Sequence, residues 1–424
     1  MITYKKNKLS NGMRVVTVPL HETQAVTALL LVKVGSRYET RELNGISHFI
    51  EHLMFKGTEK RPSTLEISRE LDGVGADYNA FTSKDHTGYY IKLNSEKLPL
   101  ALDILSDMVF QSLYDPKEIE RERGVIVEEI NMYEDNPMMY TEDLFEETVF
   151  GDTPLGWKIA GPRENIRKTN REKILRLRDA YHVPSNMILV IAGRFSKNIS
   201  SLIERTFAVP RQPMHGKRFI TYSGIQRAPR VTIHYKDTHQ VQMALGVPAY
   251  HHEHPKLYAS HLLSVILGGN MSSRLFISIR ERQGLCYFVR SSVNTYEDAG
   301  TFMIQAGIER KRIHEAITAI LQELSLIAKK GVTADELAKA KEFTRGKLIL
   351  GLEDSENIAS WAGKQLLFKN KILTPEVQLK KIDRVAADEV KEVARKLFVT
   401  AKLNLALIGP YRKAGEFRKL LRMP

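Results

Sequence analysis

Residues 166–195 read IRKTNREKILRLRDAYHVPSNMILVIAGRF, and residues 382–411 read IDRVAADEVKEVARKLFVTAKLNLALIGPY. Each stretch starts with the spacing of an amphipathic helix, passes into an apolar run of strand length and stops at a glycine, with Gly193 opposite Gly409. One unit is therefore written twice, at a period of about 215 residues. Working outward, residues 87–108, a Tyr-rich strand followed by a helix from near Ser95, match residues 300–324, where TFMIQAG runs into a helix from Lys311. Each half reads as strands, helix, strands, helix, long helix, helix, strand. That order predicts an α+β fold of two homologous layered domains, each a mostly antiparallel sheet with helices packed on one face. The expected domains are residues 1–212 and 231–424, joined by a Pro-, Gly- and Arg-rich linker at 213–230.

A chain of 424 residues is too long for one core and suits two domains of ordinary size. Its 43% hydrophobic content is that of a soluble globular protein, and no apolar run reaches the length of a membrane span. The first residues, MITYKK, carry no signal-peptide or transit pattern, so the expected location is the cytoplasm, without membrane association. A single cysteine, Cys286, excludes an internal disulfide framework and reads as a small packed residue. The net charge of +13 is unevenly spread: residues 1–212 hold 29 bases and 30 acids, which leaves 34 and 20 for the rest. No zinc finger, aromatic RNA-binding signature or basic block accompanies that excess, so nucleic acid is not an expected partner.

Residues 48–52, HFIEH, place two imidazoles one helical turn apart, close enough to grip one metal ion. Glu51 projects beside that metal, where a carboxylate can take a proton from water. The repeat supplies an internal control, because residues 47–53, SHFIEHL, fall opposite residues 260–266, SHLLSVI. The second copy keeps His261, which reads as a structural histidine, and loses the glutamate and the other histidine. A helix at this place in the fold thus needs neither for packing. A third ligand is best sought on the acidic helix that Asp115 and Pro116 open. Glu122 and Glu129 ride together on the border of its apolar stripe of Ile119, Ile126, Ile130 and Tyr133, whereas Glu118, Glu120 and Glu128 read as solvated.

At this point the chain resembles the inverzincin metallopeptidases, family M16, of the pitrilysin, insulin-degrading enzyme and mitochondrial processing peptidase group. Their signature is H-x-x-E-H followed by a glutamate after 76 intervening residues, and with residues 53–128 between them His52 is followed by Glu129. Further likeness is carried by Gly45-Ile46-Ser47, Phe55-Lys56-Gly57-Thr58, Asn79-Ala80-Phe81-Thr82-Ser83 and Glu122, seven residues before Glu129. It extends over essentially the whole chain and is closest to short bacterial and archaeal subunits.

The resemblance implies a LuxS/M16 metallopeptidase-like fold and a zinc endopeptidase acting on peptides or unfolded segments in an enclosed chamber. It implies one Zn2+ per subunit on His48, His52 and Glu129, Glu51 as general base on zinc-bound water, and Glu122 orienting a ligand. Asn79 and Ala80 match the start of an edge strand on which the family lays its peptide by β-augmentation. Arg280 and Tyr287, seven apart, match the pair that faces the zinc and holds substrate, with Arg282 excluded by the spacing. Gly268-Gly269-Asn270-Met271 sits where processing peptidases carry a glycine-rich loop and reads as a helix C-cap and turn. A site divided between two bowls, each the size of this chain, implies a homodimer, with a heterodimer of one inactive homologue as the variant. The rival reading of the same fold is a catalytically inert assembly or core subunit.

Overall fold

Eleven strands build two sheets in the computed structural model, which describes residues 3–424 and so leaves the first two residues of the expected N-terminal domain outside the described residues. They are β1 (Lys5–Lys8), β2 (Arg14–Pro19), β3 (Ala25–Val32), β4 (Asp77–Thr82), β5 (Thr87–Asn94) and β6 (Met187–Gly193), then β7 (Arg230–Tyr235), β8 (Gln240–Ala249), β9 (Cys286–Thr295), β10 (Gly300–Glu309) and β11 (Asn404–Gly409). The first sheet has the order β1-β2-β6-β3-β5-β4 and the second β7-β11-β8-β10-β9. Apart from the added β1, the two orders are the same. Each sheet has one parallel pair, β2 with β6 and β7 with β11, among otherwise antiparallel ladders. The duplication written in the sequence is therefore a duplication of topology.

Helices cover both faces of each sheet, which corrects the expectation of helices on one face. The reason lies in the strands: AVTALLLV in β3 and MILVIAG in β6 are continuous apolar runs, buried almost throughout, and such strands need cover on both sides. Val26, Ala28, Leu30 and Val32 of β3 pack with the first-half helices, including Ile46, Phe49, Ile50 and Leu53 of helix Ile46–Leu53. Leu29 and Leu31 face the other way, onto Ile358, Ala359, Ala362 and Leu366 of helix Ser355–Lys369. That helix comes from the second half of the chain. It is pinned at its start by Thr27 and Ser355, whose hydroxyls lie 2.8 Å apart, and by Lys92 paired with Asp354 at 2.5 Å.

The second sheet repeats the arrangement with helix Pro137–Phe150 from the first half, whose Tyr140, Leu144, Phe145 and Val149 pack on Ala244, Met303, Ala406 and Ile408. The compact units in space accordingly differ from a division at the linker. One comprises residues 1–130, 158–220 and 348–376, and the other residues 131–157, 221–347 and 377–424. No helix among the described residues is long and apolar enough to cross a membrane.

Two glycines in the first unit hold backbone that a side chain would strain. Gly193 ends β6 at φ +127°, where an added Cβ would meet the Ala25 carbonyl oxygen at 2.4 Å. Gly45 opens helix Ile46–Leu53 at φ +106°, with the Ala160 carbonyl oxygen 2.6 Å from where a Cβ would stand. Gly45→Ala is therefore expected to destabilise the fold by about 2 kcal/mol or more, from left-handed backbone strain plus the clash. Denaturant unfolding of the two proteins checks this, and equal midpoints would contradict it.

Candidate metal centre

Helix Ile46–Leu53 turns its apolar face into the core and leaves His48 and His52 on one side, with ring centroids 4.6 Å apart and nearly perpendicular. Its start is held by a residue that sequence reasoning missed. The buried carboxylate of Glu39 accepts from the backbone N–H of Gly45 at 2.8 Å, from that of Ser47 at 2.6 Å and from the Asn44 side-chain amide at 3.1 Å. A negative charge there suits the partial positive charge of a helix N-terminus. Burial nevertheless lifts the Glu39 carboxyl to about 7, against the pull of those hydrogen bonds.

The acidic helix, Pro116–Asp135, buries Ile119, Ile126 and Ile130 and carries Glu122 and Glu129 along that stripe. Glu122 is buried and Glu129 partly so, whereas Glu128 is exposed. The Glu129 Oε2 atom stands 3.6 Å from His48 Nε2 and 3.3 Å from His52 Nε2, and the two Nε2 atoms are 3.3 Å apart. Ligands at about 2.0–2.1 Å from a tetrahedral metal are separated by about 3.3–3.4 Å. The triangle of donor atoms therefore has the edge lengths of one face of a zinc tetrahedron. Two imidazole nitrogens and one carboxylate oxygen are also a donor set suited to that ion. Among the described residues this is the one such group.

The protons around it are arranged by the same contacts. A carboxylate only accepts, so the 3.1 Å contact between Glu122 Oε2 and His52 Nδ1 fixes the proton on Nδ1 and turns Nε2 toward Glu129. Burial opposes a charge on His52, yet its hydrogen bonds to Glu122 and Glu129 raise its pKa to about 9. Burial, and then the charge on His52, lower His48 to about 4. Burial pushes the Glu129 carboxyl up, but the hydrogen bond from His52 and the charges of both histidines bring it below the usual range. His48 Nδ1 is buried without a hydrogen-bond partner among the described residues, so the polar contacts of this ring are those of its Nε2 with His52 and Glu129.

Glu51 lies beside the triangle, and burial raises its carboxyl above the ordinary value. The Thr82 hydroxyl donates to its Oε2 at 2.5 Å. Thr82 was visible in the sequence only as a member of the Asn79–Ser83 stretch. It ends β4, the outer strand of the first sheet, on which Asn79 and Ala80 lie opposite Tyr90 and Tyr89 of β5. Strand alternation puts Ala80 and Thr82 on the face of the motif helix and Asn79, itself exposed, on the opposite face.

Arg280 and Tyr287 belong to the second unit, whereas the metal-type group belongs to the first. Arg280 lies in a π-helical turn, Phe276–Arg282, with its guanidinium 4.6 Å over the Phe276 ring. Tyr287 is 73% exposed on β9, the outer strand of the second sheet. His261 is exposed on helix Leu257–Gly268, so that helix does not bury it in the core. Helix Leu257–Gly268 ends at Gly269, as expected of the cap. Cys286 is buried and its thiol is pushed up to about 11 by that burial, which agrees with a packed residue.

A duplicated, helix-covered sheet carries this donor triangle on two helices of its first copy, and comparison with known proteins gives the family. Residues 14–163 match the model of the insulinase family, peptidase family M16, and residues 168–343 match the M16 inactive domain. An uncharacterized zinc protease of Streptomyces coelicolor is 34% identical over 97% of this chain and 90% of its own length. The uncharacterized zinc protease YmxG of Bacillus subtilis is 34% identical over 96% of this chain and 98% of its own. Among solved structures, a protease from Helicobacter pylori superposes with a TM-score of 0.89 at 25% identity, covering 97% of this chain and all of that one. The chain belongs to peptidase family M16.

Metal binding at this triangle has to displace the proton that His52 Nε2 carries up to about pH 9, while His48 is already neutral. Zinc affinity is thus expected to weaken about tenfold per unit as pH falls from 9 to 6, with about one proton released per zinc bound. Chelator competition across that range, with calorimetry in two buffers to count protons, checks the expectation. An affinity independent of pH would contradict it.

Proposed function

We propose that this protein is a zinc-dependent endopeptidase that hydrolyses peptides or unfolded segments within an enclosed chamber. The observation that carries the reading is Glu51, a half-buried carboxylate held by Thr82 at 2.5 Å beside the His48, His52 and Glu129 triangle. His48, His52 and Glu129 hold one Zn2+ per subunit. Zinc, when bound, supplies an acidified water, with a pKa of about 7, and a Lewis acid for the peptide carbonyl. Glu51 takes the proton released as the peptide carbon is attacked and passes it to the leaving amine. Its burial suits that double role, since a carboxyl raised toward neutrality both accepts and returns a proton.

The outer edge of β4 binds the substrate main chain near Asn79 and Ala80, which supplies affinity with weak demands on side chains. Arg280 and Tyr287 donate to the substrate and its developing oxyanion. The exposure of Tyr287 favours a role at a surface that closes on a second chain. We assign these two residues to the site of a homodimer partner, so that each site draws zinc from one subunit and Arg280 and Tyr287 from the other. The lone buried cysteine suits a reducing compartment, in keeping with a cytoplasmic location. An inert assembly subunit, the rival reading, needs neither a complete donor triangle nor a half-buried carboxylate beside it.

Glu51→Gln is expected to lower cleavage of an unstructured peptide by about a hundredfold to ten-thousandfold and leave zinc binding in place. Metal analysis beside a cleavage assay tests this; undiminished cleavage would sink the role of Glu51, and a wild-type chain that cuts nothing would favour the inert subunit. Mixing Glu51→Gln chains with Arg280→Ala chains should restore part of the activity, because one of the two composite sites is then intact. A verified mixed dimer without any rescue would contradict the shared site.

A further inference from the structure

The Glu122 carboxylate has two oxygens and two different partners. Oε2 accepts from His52 Nδ1 at 3.1 Å, and Oε1 accepts from the ammonium of Lys56 at 2.8 Å. The carboxylate side chain is 2% exposed and Lys56 is 24% exposed, so the acid is shut away and the base reaches it from the rim. Lys56 follows His52 by four residues, just past the end of helix Ile46–Leu53, one turn beyond the histidine. One short segment thus supplies both the imidazole that Glu122 orients and the cation that orients Glu122. The three groups form a chain: His52, Glu122, Lys56.

We infer that Lys56 is a positioning residue for the metal centre, acting through Glu122 to hold the His52 ring in its ligating orientation. A buried carboxylate that bonds an imidazole through one oxygen is free to rotate about its terminal torsion, which is broad and roughly two-fold. The ammonium on the other oxygen removes that freedom. It also balances the negative charge of a carboxylate that burial would otherwise make costly. His48 has no comparable restraint, because its Nδ1 lacks a hydrogen-bond partner among the described residues. The His52 arm is therefore the one set by hydrogen bonds, and Lys56 is its outermost support. Groups that orient metal ligands in this way typically change metal affinity by about tenfold to a hundredfold when removed.

This inference rests on zinc binding at His48, His52 and Glu129, so the test reads zinc directly. The zinc dissociation constants of wild type, Lys56→Met, Lys56→Arg and a surface control, Lys117→Met, are measured by chelator competition at one pH, with the thermal midpoint of each metal-free protein. Lys56→Met keeps the length of the side chain and removes its charge. It should raise the dissociation constant about tenfold or more, whereas Lys56→Arg, which still donates to Glu122, and Lys117→Met should stay within about threefold of wild type. A general loss of folding would lower the metal-free midpoint of the Met variant and would not be rescued selectively by arginine. Should Lys56→Met be unfolded, Lys56→Gln, with a neutral donor, should give an intermediate loss. Wild-type affinity in a folded Lys56→Met or Lys56→Gln protein would overturn the role of Lys56. A wild-type protein that binds no zinc would overturn the metal centre as well, which separates the two failures.

Discussion

Three electron-pair donors, His48 Nε2, His52 Nε2 and Glu129 Oε2, are kept 3.3 to 3.6 Å apart, and everything functional in the first unit follows from that enforced proximity. Donor atoms so close repel one another unless a proton or a metal lies between them. The structure meets that need through His52, whose neighbours Glu122 and Glu129 keep it protonated to about pH 9 when no metal is bound. Packing enforces the geometry. His48 and His52 share one helix through Ile46, Phe49, Ile50 and Leu53 in the core, and Glu129 arrives on another through Ile119, Ile126 and Ile130. Because both stripes enter one cluster of side chains, neither helix slides without opening a cavity, and cavities in such cores cost several kcal/mol per large side chain, about 2–5 for an aliphatic one.

The second unit shows what the scaffold does without that constraint. Its sheet has the same strand order and the same parallel pair, and helix Leu257–Gly268 stands where helix Ile46–Leu53 stands in the first. Yet Ser264 and Val265 replace Glu51 and His52, and His261 is exposed. The fold is therefore compatible with the metal-type group and indifferent to it. A feature that duplication shows to be dispensable for folding, but that is assembled with ligand-like spacing in one copy, is one that packing alone does not explain.

Much of this was legible because periodicity and spacing are properties of the chain itself. The duplication, the motif helix and the acidic helix followed from apolar stripes and from Gly193 and Gly409. Covering of both sheet faces was written in the unbroken apolar runs of β3 and β6, but the sequence gives no sign of which helix supplies the cover. Helices Pro137–Phe150 and Ser355–Lys369 each pack on the sheet of the opposite half, a tertiary choice that no local pattern encodes. Glu39, Thr82 and Lys56 were hidden for a related reason. Each is an ordinary polar residue whose importance comes from partners elsewhere in the chain, Gly45 and Ser47 for Glu39, Glu51 for Thr82 and Glu122 for Lys56.

The central claim is that these three side chains, held ready by packing and a shared proton, are the ligands of a zinc ion. X-ray absorption at the zinc edge, on protein loaded with one equivalent of metal, tests it most directly. The account predicts a first shell of nitrogen and oxygen at about 2.0–2.1 Å, with outer-shell scattering from two imidazoles. A spectrum without the two-imidazole signature, or with a sulfur neighbour, would contradict it.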